Sequence, residues 1–344
     1  MQSDNGGTIL LYDRVNVVYA ANDNYAILAG VSMLSLFENN KDCSELFVYI
    51  LSDHISDVNL ANLQRIGQKY QREICIIDIS KELSVFEKKG IGKYANENGG
   101  GYAASAKLLI PNLISDVKKV IYLDCDTLIR SKISELVEIP MGNKSLGMAQ
   151  DCIQNRYKKF ISVDKEKRYF NSGVIVFDVK KWKENRCMER MLWHLENIRS
   201  HYPLPDQDLI NVALYDEIYQ LPMKYNYLSQ YFLYPWRELK KVYDLQDAYF
   251  YTEKEFDSSE KAIIFHFCGQ TYIRPWYCNS RHPAKREYDY YYNLSPWKAE
   301  RQEEYKWKIE YKIQYILWRY MPISISALCG KWMQRIFMKL QYKV

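Results

Sequence analysis

The chain has 344 residues, enough for one large domain or two, and 26% of them are charged. Its formal net charge is +5, but residues 301–344 carry nine Lys or Arg against three Glu, so the rest of the chain is nearly neutral. A nearly neutral main body argues against a broad nucleic-acid-binding face, and no nucleic-acid partner is expected.

The sequence predicts neither a targeting segment nor a membrane span. Residues 1–7 lack the basic stretch and apolar run of a signal peptide, and no apolar segment reaches 18 residues. The eight cysteines are scattered, without a C-x-x-C pair or a zinc-ligand spacing. These features predict a cytoplasmic protein whose thiols are reduced and mostly buried.

The first eighty residues alternate between strand and helix patterns, which predicts the α/β fold class. The order β-α-β-α-β indicates a parallel sheet with right-handed crossovers. Neither G-x-G-x-x-G nor G-x-x-x-x-G-K-[ST] occurs, so a dinucleotide-binding fold of the usual kind and a P-loop are not supported. The predicted elements are a strand and polar turn over 16–25, a helix over 26–37, a strand over 46–51, a helix over 56–70 and a strand over 74–79.

The middle of the chain predicts a loop, a short helix and further strands. Residues 96–101 are polar and then Gly-rich, which is typical of a mobile loop. Residues 103–110 are predicted to form a short helix closed by Pro111. The remaining elements are an apolar strand at 119–123, strands at 145–151 and 169–178, a helix over 182–200, a helix from 205 and a strand at 262–267.

Two carboxylates, Asp124 and Asp126, follow the apolar strand with Cys125 between them. Side chains two positions apart on an extended chain point to the same side, so both carboxylates can bind one ion. Hard divalent cations prefer oxygen ligands, and ligands of α/β sheets bind beyond the carboxyl ends of strands. The pair therefore predicts a metal–phosphate site. Two alternatives stay open on the motif alone: a turn that the two Asp only cap, and the nucleophile loop of haloacid-dehalogenase-type phosphatases, with Asp124 phosphorylated.

Three later positions carry further candidate groups. His266 ends an apolar strand and is either a third metal ligand or a core histidine bonded to backbone. Arg274 follows it and can bring a cation to a diphosphate. Asp206 and Asp208 open a helix, where acidic residues also simply stabilise the first turn.

With these residues in place, the chain resembles glycosyltransferase family 8. That family includes bacterial lipooligosaccharide α-galactosyl- and α-glucosyltransferases and, more distantly, glycogenin. The resemblance covers about residues 15–278, and several motifs in a fixed order carry it. They are Ala20-Ala21-Asn22-Asp23-Asn24-Tyr25, Lys107 in its helix, Tyr122-Leu123-Asp124-x-Asp126, Phe170-Asn171-Ser172-Gly173-Val174, Asp206-Gln207-Asp208, and His266-Phe267-x-Gly269 with Arg274-Pro275-Trp276.

The resemblance implies a GT-A fold with a Rossmann-like nucleotide-sugar-binding sheet, a UDP-hexose donor, and Mn²⁺ or Mg²⁺. The metal ligands it implies are Asp124, Asp126 and His266. It also implies donor contacts from Cys125 and from three groups near the diphosphate, Lys107, Gly269 and Arg274. The uridine would be held by Ala20, Asn22, Asn24 and Tyr25. The sugar and reaction centre would be lined by Asp151, Asn171, Asp206 and Gln207.

Members of the family retain the anomeric configuration, so an α-linked product is expected. Because the Gln207 amide is a poor nucleophile, front-face attack is favoured over a covalent intermediate on a carboxylate, with Gln207 or Asp206 stabilising the oxocarbenium-like state. Asn22 stands where bacterial members often carry Asp. Lys107 and Arg274 stand where some members have Arg and Lys. These departures leave the preference between UDP-galactose and UDP-glucose open.

The end of the chain differs in character from the rest. We expect a catalytic domain over 1–280 and a helical extension, basic and aromatic, over 281–344. Apolar residues recur at helical spacing before and after Pro322. In the second helix the basic stripe comprises Lys331, Arg335, Lys339 and Lys343, and the apolar face comprises Leu328, Trp332, Ile336, Phe337 and Leu340. This pattern suits peripheral binding to the anionic inner leaflet of a membrane, or packing on the catalytic domain or a second subunit.

The sequence therefore predicts a metal-dependent retaining hexosyltransferase with a glycan, glycolipid or glycoprotein acceptor, as in lipopolysaccharide biosynthesis. Two other classes are kept as alternatives. One is a Mg²⁺-dependent phosphatase using Asp124, although no convincing downstream Lys and acidic metal pair accompanies that motif. The other is a sugar-nucleotide or glycan-binding protein without turnover.

Overall fold

The computed structural model describes residues 14–83, 102–198, 202–258, 261–269, 274–307 and 309–342. Within these ranges the strands are β1 (Val15–Asn22), β2 (Leu46–Asp53), β3 (Ile74–Asp78), β4 (Lys119–Leu123), β5 (Thr127–Ile129), β6 (Leu146–Gln150), β7 (Phe170–Asp178), β8 (Ile218–Gln220), β9 (Tyr227–Leu228) and β10 (Ile264–His266).

The α-helices of the described part fall between these strands and at the end of the chain. They are α1 (Ala26–Asn39), α2 (Asp57–Lys69), α3 (Ile110–Leu113), α4 (Ser134–Glu138), α5 (Asn155–Phe160), α6 (Val179–Glu184), α7 (Cys187–Asn197), α8 (Pro205–Ala213), α9 (Trp236–Tyr243), α10 (Glu253–Ser258), α11 (Lys285–Leu294), α12 (Ile309–Tyr320) and α13 (Ile323–Tyr342).

The first β-α-β-α-β unit forms as predicted. A 3₁₀ turn, Asp23–Tyr25, links β1 to α1, and the Asn22 side chain accepts a hydrogen bond from the Tyr25 N–H. The Ser56 hydroxyl accepts the Asn59 N–H at 3.4 Å and so caps α2, as Ser does at many helix starts. Strands β1, β2 and β3 pair in parallel, which confirms the α/β class.

The main sheet is mixed, and the expectation of a parallel sheet holds only for one half of it. Among the described strands its order is β3-β2-β1-β4-β7-β6-β8. Strand β4 pairs in parallel with β1, but β7 enters antiparallel between β4 and β6. The 19 residues between β6 and β7 contain only the short helix α5, too little for a helical crossover. Alternating helix and strand patterns in the first eighty residues carry no signal for this reversal.

Both faces of the central strands are buried, which explains why those strands are largely apolar. Val17 and Tyr19 of β1 pack into one core, and Val18 and Ala20 pack into the other. This alternation follows from the period of two along a strand. Because β1 and β4 are adjacent and parallel, their carboxyl ends lie together at one edge of the sheet.

Two helix predictions and one cysteine prediction need correction. Pro111 does not close the helix; a 3₁₀ helix over Tyr102–Leu109 ends there and α3 begins, with Pro in its first turn, where the missing N–H costs nothing. The helix predicted over 182–200 is two helices, because Arg186 has a left-handed φ of 52° between α6 and α7. The eight cysteines are free, but only three are buried: Cys125, Cys152 and Cys187.

Several predictions fall outside the described part of the structure. They are the Gly-rich loop at 96–101, the end of the helix at 199–200 and residue Lys343, together with the side chains of Phe337, Lys339 and Leu340.

The residues after 281 pack against the rest of the chain. Trp297 is buried against Gly30 of α1, where a Cβ would lie 2.4 Å from the indole, and its Nε1 donates to Asn59 Oδ1 at 2.9 Å. Trp318 Nε1 of α12 donates to the Leu233 carbonyl at 2.6 Å. Packing on the catalytic domain, one of the alternatives for the tail, is therefore observed. The boundary at 280 stays a prediction.

Helix α13 lies along α9. Lys331 pairs with Asp244 at 2.9 Å, just beyond the end of α9, and the backbone at Gly330 approaches Tyr234 and Val242 closely. The predicted basic stripe is therefore partly used inside the fold. None of the described helices is long and apolar enough to cross a bilayer.

Candidate active site

Asp124, Asp126 and His266 form a compact cluster at the carboxyl end of β4. His266 Nε2 lies 3.2 Å from Asp126 Oδ1 and 3.5 Å from Asp124 Oδ2. One ligand atom from each residue lies within 4.8 Å of the other two. Two carboxylate oxygens and one imidazole nitrogen at this spacing are a donor set that divalent cations accept.

The electrostatics of the cluster couple Asp126 to His266. Although burial opposes ionisation of Asp126, the nearby His266 lowers the pKa of that carboxyl to about 2. The pKa of His266 is in turn raised, because attraction to Asp126 outweighs the burial of the ring. Asp126 is thus ionised across the whole range in which proteins are usually assayed.

The small second sheet brings His266 to the two carboxylates. Strand β10 pairs antiparallel with β5, which places His266 opposite Thr127, and the Phe267 N–H donates to the Asp126 carbonyl at 2.9 Å. Beneath the ring, a Cβ at Gly173 would lie 2.1 Å from His266 Cε1. The ring can occupy this position only because residue 173 has no side chain.

Lys107 joins the cluster to a second group of polar residues. Its ammonium lies 3.1 Å from Asp124 Oδ1 and 2.9 Å from Asp206 Oδ2, and it donates to the Ser172 carbonyl at 3.2 Å. The side chain is only 2% exposed. Burial alone would lower the pKa of Lys107, but Asp124 and Asp206 together raise it, so the amine is charged.

The second group comprises Asp151, Asn171, Asp206 and Gln207, connected by hydrogen bonds. Gln207 Nε2 donates to Asp151 Oδ2 at 3.0 Å, and Asn171 Nδ2 donates to the same oxygen at 2.9 Å. Gln207 Oε1 accepts the Ser172 N–H at 3.0 Å. The structure therefore places all four residues beside Lys107 in one buried network.

Asp208 is not part of the reactive surface. It is a fully buried residue of α8 and accepts hydrogen bonds from the hydroxyls of Tyr157 and Tyr169 and from the Leu204 N–H. Burial raises its pKa to about 6, although these donors act in the opposite direction. Its contacts with Tyr169, which also lies 3.3 Å from Gln207 Nε2, make it a support for that amide.

The buried Asp208 gives a testable pH dependence. Between about pH 4 and pH 6 the carboxyl is protonated in the folded protein and ionised in the unfolded chain, so the free energy of unfolding falls as pH rises through this window. We expect Asp208→Asn to lack this fall, a difference on the order of 1–3 kcal/mol between pH 4 and 6.5. Urea unfolding at several pH values measures it. An exposed-site control, Asp257→Asn, should keep the wild-type profile, and an Asp208→Asn profile parallel to wild type would contradict the assignment.

The residues expected around the nucleoside lie at the end of β1. The Cys125 thiol donates to the Ala20 carbonyl at 3.2 Å, which ties β1 to the loop between the two carboxylates. Burial raises the pKa of Cys125, so it is a neutral thiol. Tyr25 is half-buried on the adjoining turn, whereas Asn24 is exposed there.

Arg274 and Gly269 lie near Asp126, whereas Lys107 contacts Asp124. Gly269 has a left-handed φ of 80°, which a side chain would strain, and its carbonyl accepts from Arg274 Nε at 3.3 Å. The guanidinium lies 5.2 Å from the Trp276 ring and, together with His266, helps to lower the pKa of Asp126. Burial raises the pKa of Tyr25, and the Arg274 charge partly offsets that rise. The positive charge of Arg274 therefore acts on the metal-ligand cluster.

Sequence reasoning missed three supporting residues. Ser172 links Lys107, Asp206 and Gln207, but it entered the sequence analysis only as part of a motif. Tyr169 and Asn226 were not singled out at all. A Tyr before a strand and an Asn after a turn are too common to mark a site, so only the fold shows their positions.

Comparison with known proteins gives a consistent result. The sequence model of glycosyl transferase family 8 matches residues 16–279. General stress protein A of Bacillus subtilis is 28% identical over 291 residues, covering 82% of this chain and 94% of that protein. Lipopolysaccharide 1,2-glucosyltransferase of Escherichia coli K12 is 27% identical over 324 residues, covering 92% of this chain and 89% of that protein.

A solved structure shares the fold. The galactosyltransferase LgtC, in complex with donor and acceptor sugar analogs, superposes with a TM-score of 0.64 at 21% identity. The match covers 83% of this chain and 99% of that one.

Proposed function

Because this chain belongs to glycosyltransferase family 8, we propose that it transfers galactose or glucose from a UDP-sugar to a glycan acceptor, with retention of the anomeric configuration. One observation carries the proposal: the buried Lys107 ammonium links the metal-ligand cluster to the second polar group. It contacts Asp124 in the first and Asp206, beside Gln207, in the second. A diphosphate bound at the first group would place its sugar at the second.

The ligand set of the first group fits Mn²⁺. Two carboxylates alone suit Mg²⁺ as well, but an imidazole nitrogen shifts the preference toward a transition metal. When bound, such an ion would supply positive charge to the diphosphate leaving group. Asp124, Asp126 and His266 would hold it.

The chain's own cations would act on the same leaving group. Arg274, which bonds the Gly269 carbonyl, lies near Asp126, and Lys107 contacts Asp124. Both charges are fixed by their contacts before the donor arrives. Preorganised charge of this kind stabilises a developing anion without reorganisation during the reaction.

At the reaction centre, Gln207 and Asp206 have different environments. Asp206 is paired with the Lys107 ammonium at 2.9 Å, which leaves its carboxylate poorly suited to be a free nucleophile. The Gln207 amide is held at both ends, by Asp151 and by the Ser172 N–H. These contacts favour front-face attack, in which Gln207 and Asp206 stabilise positive charge on the sugar.

Product analysis tests the donor and the stereochemistry together. Wild-type protein with Mn²⁺ would be incubated separately with UDP-glucose, UDP-galactose and UDP-N-acetylglucosamine, and the released sugar followed by proton NMR from the first minutes. We expect one of the two UDP-hexoses to be consumed, with the α-anomer appearing first. Initial release of the β-anomer would contradict retention.

The family match overturns the alternative of a phosphatase acting through Asp124. In the structure that carboxylate also accepts hydrogen bonds from Lys107 and from the Tyr122 hydroxyl, the latter at 2.6 Å.

Gly173→Ala is expected to weaken Mn²⁺ binding at least about tenfold, the usual effect of disturbing a ligand's support. The new Cβ would meet the His266 ring at 2.1 Å. Hydrogen bonds hold the Gly173 backbone in place, so it cannot easily move away from the ring. Its N–H donates to Asn171 Oδ1 at 2.9 Å, and its carbonyl accepts the Asp124 N–H at 2.7 Å. Titration of Mn²⁺ by EPR measures the dissociation constant. Gly142→Ala is the control: its φ is also positive, at 61°, but open space surrounds it. Unchanged Mn²⁺ affinity in Gly173→Ala would contradict the placement of His266.

For the acceptor, we propose a glycan presented at an anionic membrane surface, which the tail contacts. Ten of the fourteen large hydrophobic side chains exposed in the described part of the chain lie on α12, α13 and the turn between them. They are Ile309, Ile313, Ile316, Tyr320, Met321, Ile323, Ile325, Leu328, Trp332 and Ile336. Packing on α9 leaves this apolar surface uncovered, and exposed basic residues such as Lys312, Arg319 and Arg335 accompany it.

Vesicle sedimentation tests the membrane proposal. The double variant Leu328→Ser/Trp332→Ser changes two side chains that are each 65% exposed, so the fold should be kept. We expect its affinity for phosphatidylglycerol-containing vesicles to fall about tenfold or more, since two large apolar contacts are lost. Trp193→Ser, which removes a Trp 58% exposed outside the tail, is the matched control. Equal binding by the double variant and wild type would reject the proposal.

A further inference from the structure

Asn226 is a fully buried amide beside the metal-ligand cluster that no motif marks. It follows the 3₁₀ helix Met223–Tyr225 and precedes β9, and its side chain is 0% exposed. Strand β9 pairs in parallel with β10, so the chain around Asn226 runs alongside His266. The amide contacts His266 on one side and Asn171 on the other.

The orientation of the amide at Asn171 is fixed by its surroundings. Asn171 Nδ2 donates to the Asp151 carboxylate at 2.9 Å, and a carboxylate can only accept. Asn171 Oδ1 accepts the Gly173 N–H at 2.9 Å, and a backbone N–H can only donate. The oxygen and the nitrogen of the Asn171 amide therefore cannot be exchanged.

The orientation of Asn226 follows from that of Asn171. Because Asn171 Oδ1 is an acceptor, the atom of Asn226 that faces it at 2.9 Å must be the Nδ2 donor. Asn226 Oδ1 then faces His266 Nδ1 at 3.0 Å, so Nδ1 must carry the proton. The lone pair of the neutral ring is therefore on Nε2, the atom that faces Asp124 and Asp126.

The same amides continue to the reaction centre. Asp151 Oδ2 accepts hydrogen bonds from both Asn171 Nδ2 and Gln207 Nε2, the latter at 3.0 Å. One hydrogen-bonded series thus runs from His266 through Asn226, Asn171 and Asp151 to Gln207. We infer that Asn226 is a positioning residue: it sets the tautomer of His266 for metal binding and ties that ligand to the Gln207 amide. Since Asn226 acts through the metal ligand, this role depends on the proposed metal-dependent transfer.

Two substitutions separate the two contacts of Asn226. Asn226→Ala removes both. Asn226→Asp keeps an oxygen that accepts from His266 Nδ1, as carboxylates do behind many metal-bound histidines, but it offers no N–H to Asn171. The control is Asn40→Ala, which removes another buried amide that bonds the Leu36 carbonyl and the Ile133 N–H at the far end of α1.

The readouts are the Mn²⁺ dissociation constant from EPR titration, and kcat and KM for the donor at saturating Mn²⁺. We expect Asn226→Ala to raise the Mn²⁺ dissociation constant about 10- to 100-fold. Asn226→Asp should bind Mn²⁺ within about threefold of wild type but lose about tenfold or more in kcat, because Gln207 is no longer aligned. Asn40→Ala should lower thermal stability and leave the Mn²⁺ constant unchanged.

A different result would contradict each of the two roles of Asn226. Unchanged Mn²⁺ affinity in Asn226→Ala would overturn the role toward His266. A wild-type kcat in Asn226→Asp at saturating Mn²⁺ would overturn the link to Gln207. Either result, in a protein whose wild type binds Mn²⁺ and cleaves a UDP-hexose, leaves the proposed function standing. A wild type that does neither would overturn the proposed function and this role together.

Discussion

Replacing Asp126 with asparagine is expected to lower kcat/KM for the UDP-sugar by about 10²–10³-fold, which corresponds to about 3–4 kcal/mol of lost transition-state stabilisation. The carboxylate is partly buried, His266 lowers its pKa to about 2, and its Oδ1 lies 3.2 Å from His266 Nε2. The amide has almost the same shape but no charge, so the ligand set loses one of its two anionic oxygens. A coupled assay of UDP release with titrated Mn²⁺ measures both the affinity for the ion and the rate.

The control for this prediction is Asp257→Asn, which removes an exposed carboxylate on α10. Its kcat/KM and Mn²⁺ dependence should match those of wild type. If Asp126→Asn kept the wild-type rate and the wild-type Mn²⁺ dependence, Asp126 would not be a ligand.

Lys107→Met is expected to lower both stability and activity. The ammonium is buried between Asp124 and Asp206, at 3.1 and 2.9 Å, so its removal leaves Asp206 without its counter-charge and Asp124 with only His266 beside it. Breaking a buried ion pair in this way costs about 3–5 kcal/mol of unfolding free energy. We also expect kcat/KM to fall about 100-fold or more, since the cation beside the leaving group is lost. Urea unfolding and UDP release measure the two effects.

Two further variants separate charge from packing at this position. Lys107→Arg keeps the charge and should retain most of the stability. The double variant Lys107→Met/Asp206→Asn removes one unpaired carboxylate and should recover part of the unfolding free energy, but not the rate. A Lys107→Met protein as stable and active as wild type would show that the cation does not link the two groups.

The sequence predicted most of the fold, because its elements have simple periodicity. The first three strands, α1, α2, α8, α12 and α13 all appear where the sequence pattern predicted them. The GT-A fold implied by the family motifs is confirmed by the likeness to LgtC. The reversed strand β7 was not predicted, since direction within a sheet depends on pairing between strands and leaves no trace in the strand's own residues. The break at Arg186 was missed as well, because a left-handed φ at an arginine has no signature in the residue type.

For the site, sequence motifs gave the residues but not their connections. The D-x-D spacing and His266 predicted one cluster, and the structure brings these three groups within 4.8 Å of one another. Nothing in the sequence joins Lys107 to both Asp124 and Asp206, because residues 107, 124 and 206 are far apart in the chain. The orientations of the amides of Asn171 and Asn226 are set by bonds between distant segments, and single-sequence patterns cannot report them. The roles assigned to the individual site residues stay predictions until the variants above are measured.

The most direct test of metal-dependent transfer is UDP release from UDP-glucose and UDP-galactose by wild-type protein and His266→Ala, each with Mn²⁺ and with EDTA. Metal-dependent transfer predicts release from one of the two donors by wild type with Mn²⁺, and loss of that release both with EDTA and in the variant. Release that is unaffected by EDTA and equal in His266→Ala would contradict it, and so would the absence of both release and binding with either donor.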